Sequence, residues 1–105
     1  METLPERSGV GSVVLDIGGE VGAAAIYVPA SLAGLEIEIR GIDEPWRGTH
    51  VAVRERTLPD RTVWAALFPS LPEGSYEIRV RERGASGPTA PVKIVGGRVT
   101  AQHWI

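Results

Sequence analysis

Residues 64–80 read Trp64-Ala-Ala-Leu-Phe-Pro-Ser-Leu-Pro-Glu-Gly-Ser-Tyr-Glu-Ile-Arg-Val80. This stretch decides the fold. Leu71-Pro72 stops one strand, because proline has no N–H to donate to a ladder. Gly74 supplies a turn conformation that a side chain resists. Beyond it, Tyr76, Ile78 and Val80 alternate with Glu77 and Arg79. Period-two alternation sets one face against a core and the other against water. A tyrosine at such a corner buries its ring while its hydroxyl bonds backbone across the bend. The corner closes a sandwich and does no chemistry.

The same period governs the rest of the chain. Leu35-Glu-Ile37-Glu-Ile39-Arg40 alternates apolar and charged residues. The runs Ser12–Ile17 and Ala23–Val28 flank Gly18-Gly19, which predicts a tight hairpin. His50–Thr57 and Thr62–Phe68 flank Leu58-Pro59-Asp60-Arg61, where proline followed by Asp suits a type I turn. Pro91–Val95 and Arg98–Trp104 flank Gly96-Gly97, a third expected hairpin. Ala30–Gly34 has room for one helical turn after Pro29 and no more. Regular short strands with this punctuation predict an all-β, antiparallel sandwich of seven or eight strands. Its expected core is Val13, Leu15, Ile26, Val28, Leu35, Ile37, Ile39, Val51, Val53, Trp64, Phe68, Leu71, Tyr76, Ile78, Val80, Val92 and Ile94. Residues 1–9 are expected to be a flexible N-terminal segment, with 10–105 as the single β-sandwich domain; residues 83–88 are the other segment expected to move.

Composition narrows the function. The chain has 105 residues, 43% of them hydrophobic and 23% charged, with 13 glycines, 8 prolines and no cysteine. That length supports one domain with one modest core. The missing cysteine excludes disulfides, thiolate zinc sites and a cysteine nucleophile. A formal net charge of −2 gives no electrostatic footprint for nucleic acid. Of 11 basic residues, only Lys93 is lysine. An arginine-rich, asparagine-free chain reflects either heat or a GC-rich genome. The N-terminus lacks the basic and apolar regions of a secretory signal, and no stretch is long enough to span a bilayer. The chain opens on Met1 and is read as a complete, short, cytoplasmic protein.

Residues Phe68, Leu71, Pro72, Gly74, Tyr76, Ile78 and Val80 match the pattern Phe-x-x-Leu-Pro-x-Gly-x-Tyr-x-Ile/Val-x-Val. That pattern resembles the carboxypeptidase regulatory-like and collagen-adhesin B-type domains. The resemblance implies a transthyretin-like (prealbumin-like) Greek-key sandwich. Val92–Thr100 looks like the last hairpin of such domains. The resemblance covers residues 61–104 well, and residues 10–60 by strand pattern alone. The wider transthyretin-like family includes a hydrolase of a purine-breakdown intermediate. Its Tyr-Arg-Gly-Ser C-terminal signature is absent, since this sequence ends Gln102-His-Trp-Ile105. Its His-Val-Leu-Asp motif is absent too, since Ser12-Val-Val-Leu-Asp16 lacks the histidine.

A two-residue Pro59-Asp60 turn pairs Phe68 with Val51, Ala66 with Val53, and Trp64 with Glu55. With Phe68 inward, Val63, Ala65 and Leu67 form an apolar strip on the opposite face. That strip is either a central strand covered by a loop, or scattered surface apolars, or, as the sharper reading, an interface candidate. Trp46, Arg47 and Trp104 are candidate ligand or partner contacts, because a loop tryptophan beside an arginine can stack on a ring; the other reading of Trp46 is a lid folded back over the open end of the sandwich. His50 and His103 have no metal-ligand spacing, and no serine sits in a nucleophile elbow. Glu36 and Glu38 read as a solvated charge ladder with Arg40, Arg54 or Arg79. No catalytic, cofactor or metal residue is assigned. The expected function is a non-enzymatic interaction module that self-associates, along a strand edge or the strip Val63, Ala65 and Leu67, or binds a protein partner, without nucleic acid or membrane. Two alternatives are a carbohydrate- or small-ligand-binding module using the tryptophans and a hydrolase using His50 and His103.

Overall fold

The computed structural model describes residues 15–105. Its strands are β1 (Val21–Val28), β2 (Glu36–Gly41), β3 (His50–Ala52), β4 (Arg54–Thr57), β5 (Thr62–Pro72), β6 (Gly74–Val80), β7 (Thr89–Ile94) and β8 (Val99–His103). They form two four-stranded sheets, ordered β4-β5-β1-β8 and β3-β2-β6-β7. One short 3₁₀ turn, Ala30–Leu32, follows Pro29, and a second stretch, Arg81–Ser86, follows β6. The architecture is all-β and sandwich-like.

The inner faces meet in one core. Ile26, Phe68 and Ala66 of the first sheet pack with Ile37, Ile39, Ile78, Val80, Val92 and Ile94 of the second. Each fully buried isoleucine or valine contributes about 1.5–3 kcal/mol of transfer free energy. Leu35, Val51, Trp64 and Tyr76 are half-buried against that core, and so is Trp104. Leu32, Ala24 and Ala90 join it without having been expected there. Leu15 is only half-buried, and Val13 lies outside the described residues.

The corner forms at the expected residues. Gly74 has φ of +151°, and the Tyr76 hydroxyl donates to the Pro72 carbonyl. The β4–β5 turn also has the expected register, with Glu55 opposite Trp64 and Thr57 opposite Thr62. Its first strand, however, splits at buried Val53. His50–Ala52 pairs with β2 in the second sheet, while Arg54–Thr57 stays with β5 in the first. The pairs Phe68–Val51 and Ala66–Val53 therefore do not form. This crossing segment closes one side of the sandwich.

Two other hairpins are corrected. At Gly18-Gly19 a tight turn exists, with Gly18 and Val21 exchanging backbone hydrogen bonds of 2.9 Å. Residues 15–17 before it are not strand, and 12–14 lie outside the described residues. At Gly96-Gly97 the chain changes sheets instead of folding back. β8 pairs with β1 in parallel, Tyr27 opposite His103, so the sandwich is not wholly antiparallel. The outer carbonyls of β7 are taken by side chains of β8: Thr100 donates to Lys93 O at 2.7 Å, and Gln102 donates to Pro91 O at 3.0 Å. Pro91 fits there because a sheet edge needs no donor. The second side of the sandwich is thus sealed. Gly22 is required at the same junction: a Cβ there would lie 2.4 Å from Val95 O and 2.9 Å from Arg98 O.

Both faces of the first sheet are apolar at its centre. Ala23, Ala25, Ala65 and Leu67 point away from the core, and none is more than 6% exposed. The strip Val63–Ala65–Leu67 is thus largely covered, the first of the readings of a strand apolar on both faces. Its two inner members are buried within the chain, and only Val63 is half-buried. Near them, Arg56 Nε is buried with no partner among the described residues. Burial lowers the Arg56 pKa, and the neighbouring Arg54 charge lowers it further. No helix among the described residues is long and apolar enough to cross a membrane.

Candidate functional site

The outer face of the second sheet is where the strand register collects charge. Glu38 stands opposite both His50 and Arg79, and Arg40 stands opposite Glu77. Arg79 Nε donates to Glu38 Oε1 at 2.8 Å, and Arg40 Nη2 donates to Glu77 Oε1 at 2.7 Å. Glu36 Oε1 lies 3.0 Å from Arg81 Nη1 and 2.9 Å from His50 Nδ1. The histidine approach is a close contact and not a hydrogen bond, since Nδ1 makes no aligned one. Glu38 is only 5% exposed, so the expected solvated ladder is in part a buried ion pair.

Trp46 explains that burial. Its ring lies 4.1 Å from the Arg79 guanidinium and 4.5 Å from that of Arg40. Two cation–π contacts of about 0.5–2 kcal/mol each hold the loop onto the sheet. The Arg40 guanidinium also donates to Glu44 O at 3.1 Å, tying down the loop's other end. Trp46 therefore covers the charged face and is not a free contact. Arg47 is exposed beside it, on a separate cleft of about 450 Å³ shared with Glu44, Glu73 and Tyr76. Neither residue is brought near Trp104.

Glu77 gives this face a pH signature. Its hydrogen bond from Arg40 holds its pKa below the usual carboxylate value, helped by one from Thr89. A folded-state pKa below the unfolded one stabilises the fold above the unfolded value, and that contribution is lost as pH falls through the folded value. Stability measured by urea unfolding between pH 6 and 3 is expected to fall less steeply in Arg40→Gln than in the native chain. Identical slopes would mean that the pair is not coupled to folding.

A different arrangement arises at the far end of the first sheet. Parallel pairing with β8 sets Tyr27 opposite His103, and their rings stack at 5.2 Å with an interplanar angle of 26°. Trp104 follows, its backbone N–H donating to Tyr27 O at 2.9 Å. On the other flank of β1, Val28 pairs with Trp64 of β5. Three strand ends thus gather Tyr27, Trp64, His103 and Trp104 around a cleft of about 480 Å³, with Val63 and Arg61 on its rim. Among the described residues, the Arg61 guanidinium bonds its neighbour Asp60, at 3.1 Å, in a largely exposed pair. A concave, ring-lined site with a few polar groups is the usual form of a ligand pocket. Of the expected contacts, the cleft collects Trp104 and Val63. Tyr27, Trp64, Arg61 and His103 were not expected as contacts of one site, because the parallel β1–β8 pair is hidden behind a hairpin-like glycine pair.

His50 and His103 lie in opposite sheets, so the structure does not assemble the pair that a histidine hydrolase would use. Among the described residues no cluster of His, Asp or Glu could hold a metal ion. Comparison with known protein families, curated proteins and solved structures finds no match for this chain.

Proposed function

We propose that this chain is a non-enzymatic interaction module that receives its partner in the aromatic cleft at the end of the first sheet. The observation that carries this reading is the convergence of Tyr27, Trp64, His103 and Trp104 on one open cleft. Such rings offer large, rigid contact area at low conformational-entropy cost. Among the described residues lining the cleft, no hydrogen bond pairs a nucleophile with an oriented base, the arrangement acyl-transfer chemistry needs.

Self-association along a strand edge has less support. β4 is four residues long, and three of them are charged. β3 is three residues long, and β7 carries proline and lysine and is bonded to β8. Short, charged and covered edges resist strand addition. A transthyretin-like topology remains part of the proposal, supported by the Leu71–Tyr76 corner and its hydroxyl bond to Pro72.

A second reading, binding of a sugar or other small ring, is favoured by the cleft's volume and its two tryptophans. Either way, intrinsic fluorescence follows the site. Saturable changes are expected with a true ligand and are expected to persist in Trp46→Phe. A response that disappears in Trp46→Phe would move the site to the charged face.

A further inference from the structure

The hydrogen-bonding character of the cleft carries a step beyond binding in general. Its side chains include no carboxylate and no amide. Donors dominate: two indole N–H groups, the Arg61 guanidinium and the hydroxyls of Tyr27 and Thr62. Side-chain acceptors are the two hydroxyls and the His103 ring, and Ile105 adds main-chain oxygens at one side. Among the described residues, the buried side-chain polar atoms lacking a partner are His50 Nδ1 and Arg56 Nε. Among the described residues, the indole N–H groups of Trp64 and Trp104 and the Tyr27 hydroxyl make no hydrogen bond.

A ligand that fits is flat-sided, apolar and rich in acceptors, with few donors of its own. A sugar fits poorly, because every hydroxyl brings a donor that needs an acceptor when it is covered. A proline-rich segment fits on each count. Its rings present flat apolar faces, its prolines have no N–H, and polyproline II leaves every carbonyl unbonded. Aromatic-lined grooves are a recurrent way of reading such segments, because the extended helix is already ordered. We propose that the cleft binds a proline-rich segment of a partner protein in the polyproline II conformation, with Trp64, Trp104 and Tyr27 stacking on its rings and donating to its carbonyls.

This inference rests on the cleft being the binding site, and the test separates the two. Calorimetry with the full chain and a ten-residue polyproline peptide is expected to give saturable binding. Trp104→Phe keeps a ring and removes one donor, so the Kd is expected to rise about fivefold, the size of one neutral hydrogen bond. Tyr27→Phe, which removes a hydroxyl and little volume, is expected to act similarly. Thermal melts confirm that both variants fold. Binding of a gluco-oligosaccharide, but not of polyproline, with fluorescence that responds through Trp64 and Trp104 would overturn the proline assignment and leave the cleft intact. Polyproline binding unchanged in Trp104→Phe and Tyr27→Phe would overturn the assignment to this cleft. No response to polyproline, oligosaccharide or an indole carboxylate would overturn both readings.

Discussion

Ile78→Ala is expected to lower stability by about 3–4 kcal/mol, the range for emptying a well-packed isoleucine site. Ile78 is fully buried and sits in the middle of β6, flanked by Ile39 of β2 and Ala90 of β7. The first sheet covers it from above through the shared core. Its neighbours are held by ladders on both flanks, so the cavity has little freedom to collapse. In a domain of this size, each kcal/mol moves the melting temperature by about 4–8 °C. A fall of about 15–25 °C is therefore expected by calorimetry. Ile78→Val, which removes one methylene, is expected to cost about 1 kcal/mol. A loss below about 1 kcal/mol for the alanine variant would show that the two sheets do not share this core.

Arg79→Met is expected to cost about 3 kcal/mol for a different reason. Arg79 is the charge partner of Glu38, whose side chain is 7% exposed while that of Arg79 is 18% exposed. Methionine keeps the stem but leaves the carboxylate beneath Trp46 without its counter-charge. The loop also loses one of its two cation–π contacts. Double replacement, Glu38→Val with Arg79→Met, is expected to recover most of the loss, because an apolar pair avoids the desolvation that an ion pair must offset. Urea unfolding of the single and double variants checks this. A single variant within about 0.5 kcal/mol of the native chain, or a double variant worse than the single, would contradict the buried-pair account.

Local chemistry in this chain was legible, and pairing across sheets was not. The bend between Leu71 and Tyr76 depends on residues five positions apart, each with its own steric reason, and it forms at those residues. The alternation of Ile37, Ile39, Ile78 and Val80 with charged neighbours placed their faces correctly. The β4–β5 register followed from turn length alone. Val53 shows where this reasoning stops: nothing in His50–Thr57 signals that the strand changes sheets in the middle. Gly96-Gly97 is compatible with a hairpin or a crossing, and side-chain bonds from Thr100 and Gln102 accompany the crossing. The candidate site inherited that ambiguity. Trp104 was legible as a contact, but its companions Tyr27, Trp64 and His103 come together through a parallel pair that no local pattern encodes. Local sequence leaves Trp46 as either an exposed contact or a lid on the open end of the sandwich, because its actual seat, Arg40 and Arg79, lies on strands distant in sequence. Ala65 and Leu67 are legible as an apolar face but not as a buried one, because strand period gives a face and not what lies over it.

The three tryptophans make the central claim directly measurable. Trp64 and Trp104 line the cleft, while Trp46 is clamped on the opposite sheet. Each has one indole N–H, giving three resolved side-chain signals in a ¹⁵N-labelled NMR spectrum. Titration with a polyproline peptide is expected to move the Trp64 and Trp104 signals together, saturably and with one Kd, while the Trp46 signal stays in place. Movement of Trp46 alone, or no movement of Trp64 and Trp104 with any flat-ringed ligand, would contradict the account.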